Sequence, residues 1–260
     1  AATCGWRPPA VAEAMVAALQ EASANPGRSA HRRSLAAARL IEHTREALAE
    51  LLGARDTAQV AFTKNATEAL NLVLHGFLPA GATVLVSAFE HNSVMRPLQA
   101  LAASRGVHIE ELPARPPELV DLEALARRLR DGPRVSLVAV TAASNVTGRL
   151  TPLERVGELC REHGAFFLVD GAQAVGSVPF DVEQQQIDAL AFTGHKSLYG
   201  PPGTGGLYLR QPEHVEPLLQ GGTGSRSDEE LQPIFVPDRF EAGTPNVCGI
   251  AALGAAVRPL

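Results

Sequence analysis

Lys196 follows an apolar run, just past Thr193-Gly194-His195, and shortly precedes the glycine- and proline-rich stretch 200–206. A lysine removed from water sheds its proton more readily and becomes a nucleophile able to form a Schiff base with an aldehyde. A solvated loop lysine is the ordinary alternative, but glycines on its flank let a ligand approach the backbone closely. The chain has just two lysines, Lys64 and Lys196, among 23 lysines and arginines, so few other amines are available. Asp170 closes another apolar run and leads into Gly171-Ala172-Gln173. A carboxylate at the end of a buried strand needs a partner. Lys64-Asn65-Ala66-Thr67-Glu68-Ala69 follows a third run and enters a helix. Backbone N–H groups and a hydroxyl at a helix start suit an anion such as phosphate; the same residues also read as an ordinary N-cap. His91, within Glu90-His91-Asn92, and Asn145, within Ser144-Asn145-Val146-Thr147-Gly148, follow two more runs. A loop histidine commonly serves structure, and an asparagine in a turn commonly bonds backbone. Thr193 and His195 lie just ahead of Lys196.

The elements that must position these residues alternate along the chain. Short β-branched or apolar segments predict strands over 60–63, 83–87, 107–112, 135–141, 166–169, 190–192 and 206–209. Helical spacing predicts helices over 10–24, preceded by Pro8-Pro9, and over 34–52, 66–78, 94–105 and 122–130. A further helix is signalled by Thr151-Pro152-Leu153-Glu154, which reads as a capping threonine, a first-turn proline and a reciprocal glutamate, and is ended by His163-Gly164. This alternation implies an α/β fold of three layers, a mostly parallel sheet with helices on both faces. In such sheets ligands sit beyond the carboxyl ends of the strands. Five strand ends would then present a phosphate-type helix start, an imidazole, an amide, an acid with a glutamine, and a lysine. Those are the parts needed to hold pyridoxal 5'-phosphate: a lysine for its aldehyde, a carboxylate for its ring nitrogen, a flat group for its ring and donors for its phosphate.

Composition excludes other classes. A length of 260 residues fits one large domain, or one and part of another. A net charge of −5 argues against nucleic-acid or membrane-surface partners, which call for a basic patch. The longest apolar stretch, near 135–143, is too short for a bilayer span. Cys4, Cys160 and Cys248 are odd in number and scattered, which predicts a reducing, cytoplasmic setting without disulfides or a zinc site. The glycine-rich loops 200–206 and 221–225 match neither phosphate-loop nor dinucleotide spacing, and no Gly-x-Ser-x-Gly elbow occurs.

Several motifs in order resemble the class V aminotransferases, fold-type I pyridoxal-phosphate enzymes, and within them the cysteine desulfurase-like branch that includes selenocysteine lyases. The motifs are Asn25-Pro26-Gly27-Arg28-Ser29, Asn65-Ala66-Thr67-Glu68-Ala69-Leu70-Asn71, Glu90-His91-Asn92-Ser93, Ser144-Asn145-Val146-Thr147-Gly148 and Val169-Asp170-Gly171-Ala172-Gln173. Thr193-Gly194-His195-Lys196, Gly221-Gly222-Thr223-Gly224-Ser225 and Arg239-Phe240-Glu241-Ala242-Gly243-Thr244-Pro245-Asn246 complete the series. The resemblance implies that Lys196 forms the Schiff base with the cofactor, Asp170 pairs its ring nitrogen and Gln173 bonds its ring hydroxyl. It implies that His91 stacks on the ring and moves protons, and that Asn145 contacts the ring or the substrate carboxylate. Ala66, Thr67, Thr193 and His195 would cradle the phosphate. Thr223 would reach the phosphate of a second subunit, which implies a homodimer.

The implied reaction removes sulfur from L-cysteine, leaving L-alanine and an enzyme persulfide that a sulfur-acceptor protein could empty. Selenocysteine lyase, another β-lyase or an aminotransferase are the alternatives with the same cofactor; a non-catalytic phosphate-binding module is the alternative without it. The family's nucleophilic cysteine and its carboxylate-binding arginine lie in a C-terminal small domain beyond the position of Leu260. The chain opens without methionine, so it is expected to be a fragment: residues 1–24 an N-terminal segment, residues 25–260 the large cofactor domain, and inert toward cysteine by itself. Cys248 and Cys160 are expected to be packing residues, and Cys4 to lie near the substrate pocket.

Overall fold

The computed structural model describes residues 5–22, 24–26, 31–225 and 229–260. Cys4 and the Gly27-Arg28-Ser29 part of the first full motif lie outside the described residues. Seven strands among the described residues form one sheet: β1 (Val60–Thr63), β2 (Thr83–Ser87), β3 (His108–Leu112), β4 (Leu137–Thr141), β5 (Phe166–Asp170), β6 (Ala189–Thr193) and β7 (Gly205–Leu209). Their order is β1-β7-β6-β5-β4-β2-β3. Strands β6, β5, β4, β2 and β3 pair in parallel, while β7 runs antiparallel to both β6 and β1. The helices are α1 (Pro9–Glu21), α2 (Arg32–Leu52), α3 (Ala66–Phe77), α4 (Asn92–Arg105), α5 (Leu122–Asp131), α6 (Leu153–His163) and α7 (Val247–Val257).

Alternation along the strands builds the three expected layers, because successive side chains point to opposite faces. Val138 and Val140 of β4 pack with Leu48 and Leu52 of α2, Leu125 of α5 and Val156 of α6. Leu137 and Ala139, their neighbours in sequence, pack with Leu70 and Leu74 of α3 and Leu98 of α4. Every residue of β4, β5, β6 and β7 is buried, as expected of strands covered on both faces.

One local expectation fails. Thr151 does not cap α6; the helix begins after Pro152 with no side-chain cap. The Thr151 hydroxyl donates instead to the carbonyl of Thr141 at 2.6 Å, and its N–H to that of Ala142 at 2.9 Å. The chain leaving β4 turns back on itself there, and bonding the strand's end outweighs capping the helix.

At the far edge, β1 is tied to the segment that precedes α7. Arg45 of α2, 3% exposed, makes two bonds to the Glu241 carboxylate at 2.7 and 3.1 Å and one to the carbonyl of Val60 at 2.6 Å. Glu241 also accepts from the N–H of Phe62 at 2.7 Å. Breaking a buried pair strands a charge. Glu241→Ala is therefore expected to cost about 3–5 kcal/mol, read from urea unfolding. A loss under about 1 kcal/mol would mean that the pair is effectively solvated.

Candidate active site

The carboxyl ends of β4, β5 and β6, the start of α3 and the His91 turn enclose a cleft of about 520 Å³. Ala66, Thr67, His91, Asn145, Asp170, Gln173, Thr193, His195 and Lys196 all line it. Thr223 does not line it; its hydroxyl lies 3.1 Å from that of Ser225 and 3.3 Å from the Ser225 carbonyl.

Lys196 sits in the turn just beyond β6, half-buried, and its amine makes no ion pair among the described residues. Burial lowers its pKa, against the opposing pull of Asp170. A larger neutral fraction of the amine follows, which is what nucleophilic attack requires. Lys64 differs in every respect: its side chain is 76% exposed, lies 3.8 Å from Glu68 and is turned away from the cleft. The turn after Lys196 is strained, with Tyr199 at φ 56° and its N–H bonded to the Lys196 carbonyl at 3.0 Å.

Asp170 ends β5 and is 5% exposed. Its Oδ1 accepts from the N–H of Ala172 at 3.0 Å, and its Oδ2 has no protein partner among the described residues. Burial raises its pKa, opposed by the Ala172 hydrogen bond and by Lys196 and His91. An acid so placed gains from any cation brought into the cleft.

The anion-type end of the cleft follows from helix capping. Asn65 caps α3 by accepting from the N–H of Glu68 at 3.0 Å. First-turn N–H groups lack acceptors within a helix, so those of Ala66 and Thr67 are left facing the cleft. The ordinary cap thus uses a different N–H group from the two that face the cleft. The Thr67 hydroxyl lies 2.8 Å from that of Ser93, and Thr193 Oγ1 lies 2.8 Å from His195 Nδ1. Burial lowers the pKa of His195, with Lys196 and Arg7 adding to it, which favours the neutral ring. Close packing brings these groups together: a Cβ on Gly205 would come within 2.7 Å of Asn65 Cα and of the Phe192 carbonyl. Only glycine lets β7 run this near to the α3 cap.

His91 caps α4, which therefore starts at Asn92, two residues before its apolar pattern. Its Nδ1 accepts from the N–H of Ser93 at 3.1 Å, which leaves the proton of the neutral ring on Nε2. This histidine thus both caps a helix and lines the cleft. In the turn after β4, the residue that bonds backbone is Ser144, whose hydroxyl accepts from the N–H groups of Val146 and Thr147 at 3.2 Å each. Asn145 is thereby freed to face the cleft.

Phe89, Ser93 and Thr141 also line the cleft and were not legible as site residues. Glu90, which does not line the cleft, is bonded to one of them, Thr141. Its Oε1 accepts from the Ser87 hydroxyl and from the N–H of Thr141 at 2.7 Å, while its Oε2 is buried without a partner. Burial pushes its pKa up to about 8, with the nearby Asp170 adding to the rise and the bonds from Ser87 and Thr141 opposing it. The signal was available, since Glu90 follows an apolar strand much as Asp170 does. Cys160 is buried in the core, where desolvation raises its thiol pKa, and Cys248 is half-buried in α7; neither lines the cleft. No group of three or more His, Cys, Asp or Glu side chains among the described residues is placed to hold a metal.

The family model "Aminotransferase class-V" matches residues 1–260. The chain belongs to that family. A Pyrococcus abyssi relative named "Probable cysteine desulfurase" is 36% identical over 259 residues, which cover 96% of this class-V chain and 63% of the relative. The apo structure of a cysteine desulfurase from Thermococcus onnurineus NA1 superposes with a TM-score of 0.90 at 35% identity, covering 99% of this chain and 65% of that one. Structures of the cystine C–S lyase C-DES, one with its product cysteine persulfide and one a variant with glycine covalently linked to its PLP cofactor, superpose with TM-scores of 0.86 and 0.85 at 31% and 30% identity. They cover 98% of this chain and 69% and 68% of those chains. This class-V chain thus spans under two thirds of the length of the two desulfurases. The fold-type I architecture expected from its sequence holds, and Thr223 is the one candidate residue kept away from the chain's own cleft.

Proposed function

We propose that this chain is the cofactor-binding large domain, with a short N-terminal segment, of a pyridoxal-phosphate-dependent cysteine desulfurase that converts L-cysteine to L-alanine and passes the sulfur to a thiol. The observation that carries the reading is the pairing, in one cleft, of Lys196, with its lowered pKa and unpaired amine, and buried Asp170, whose Oδ2 is unmet. The donor set fits the cofactor. Asp170 would hold its ring nitrogen, Gln173 its ring hydroxyl and His91 its ring face. The N–H groups of Ala66 and Thr67, with Thr193 and His195, would hold its phosphate. Asn145 would orient the ring or the substrate carboxylate. When bound, pyridoxal phosphate supplies an electron sink for charge developing at the substrate Cα. Lys196, its pKa lowered by burial, would be the amine that holds the cofactor's aldehyde and would carry the proton at the substrate Cα. His91 Nε2 carries the proton that the substrate nitrogen or sulfur exchanges.

Thr223, away from its own cleft, would serve the cleft of a second subunit in a homodimer. Neither described cysteine reaches the cleft. On this reading the sulfur-accepting thiol belongs to another part of the full-length protein, and a sulfur-acceptor protein discharges it. Free Cys160 and Cys248 suit a reducing cytoplasm. No helix among the described residues is long and apolar enough to cross a membrane.

The lack of a thiol at the cleft among the described residues favours a second reading, a β-lyase acting on cystine. Product analysis with full-length protein separates the two. Alanine formed in step with persulfide supports the desulfurase; pyruvate and ammonia support the lyase and overturn the first reading.

A further inference from the structure

Glu90 is a half-buried residue with a buried carboxyl oxygen, and the reaction above leaves it without a task. One carboxylate oxygen accepts from Ser87 at the end of β2 and from Thr141 at the end of β4. It therefore closes the junction of two strands and fixes the turn that ends at His91, the cap of α4. The other oxygen is buried and unpartnered. Thr141 is also the register partner of Asp170. The anchors of the two acids thus lie on neighbouring strands, and the charge of Asp170 acts on Glu90.

Two buried carboxyls this close cannot both ionise cheaply. Asp170 has Lys196 and His91 beside it to favour its charged form. Glu90 has no cation acting on it, just the hydrogen bonds from Ser87 and Thr141. The proton therefore goes to Glu90. We propose that Glu90 is a positioning residue that works as a neutral carboxylic acid, tying the His91 turn to β4 and leaving Asp170 as the single negative charge on the cleft floor. This rests on the cofactor reading of the cleft. A neutral Glu90 keeps its acceptor oxygen for Thr141 while adding no charge to compete for the ring nitrogen's proton.

The test uses full-length protein with three side chains at this position: wild type, Glu90→Gln and Glu90→Ala. Infrared difference spectra without added cofactor read the protonation state directly. A protonated-carboxyl band is expected in wild type at pH 6.5, fading with a midpoint near 8, and missing in Glu90→Gln. Binding of pyridoxal phosphate, followed by absorbance, is the second readout. Glutamine is a neutral mimic that keeps the acceptor, so its affinity at pH 7 should stay within roughly 3-fold of wild type. Alanine leaves Thr141 without an acceptor and should weaken binding by roughly 10-fold or more. A missing band at pH 6.5, or a glutamine variant as weak as alanine, overturns the proposal. If wild type bound no pyridoxal phosphate while the band stood, the cofactor reading would fail and the neutral acid would survive it.

Discussion

Lys196→Ala is expected to lower turnover by on the order of 10³-fold or more, the scale seen when a covalent nucleophile is removed. Lys64→Ala, the control, should leave turnover within about 2-fold, since an exposed i,i+4 ion pair contributes little. The contrast follows from where the two amines sit. Lys196 is drawn out of water beyond β6, with Asp170 across the cleft. Lys64 is solvated and paired with Glu68. The measurement is alanine release from cysteine by the full-length protein. Added methylamine should restore part of the lost activity of Lys196→Ala, because a free amine can replace the missing one while the rest of the cleft stands. Equal losses in the two variants would show that neither lysine has a special place.

Asp170→Asn should separate stability from activity. Burial raises the pKa of this acid, so the folded chain bears a cost whenever the group is charged. The sign is definite: a raised pKa in the fold means that stability is greatest at low pH and is lost as pH rises through the folded value. Asparagine keeps the acceptor for the Ala172 N–H and removes the charge. The cofactor-free protein should therefore gain stability at pH 8, by roughly 1–2 kcal/mol, and its loss of stability as pH rises from the acid side should be smaller. Turnover should fall by about 10²–10³-fold, the scale for losing one preorganised charge. Thermal melts of the cofactor-free variant and its kcat read the two effects separately. A variant both less stable and fully active would contradict the role assigned to the charge.

Most of the site could be read before the fold was known, because it sits where apolar runs stop. Residues at strand ends are marked by the break itself, and Lys196, Asp170 and Asn145 were found that way. Strand order was not legible, since pairing is non-local; nothing near Val60 announces that β1 joins the sheet through antiparallel β7. Local motifs misled where a longer-range bond was stronger. Thr151 looks like a helix cap until the carbonyl of Thr141 appears 2.6 Å away. Glu90 does not stand out in the sequence because its neighbour His91 carries the motif's chemistry. Its unusual state comes from β4 and β5, strands that lie some 50 and 80 residues further along the chain.

The most direct test is borohydride reduction of the full-length protein with pyridoxal phosphate, followed by peptide mass mapping. Reduction fixes a Schiff base as a stable amine and so records which nitrogen had reacted. A phosphopyridoxyl group on Lys196, and none on Lys64, is the predicted result. Label on Lys64, or no label at all, would contradict the assignment of this cleft as the cofactor site.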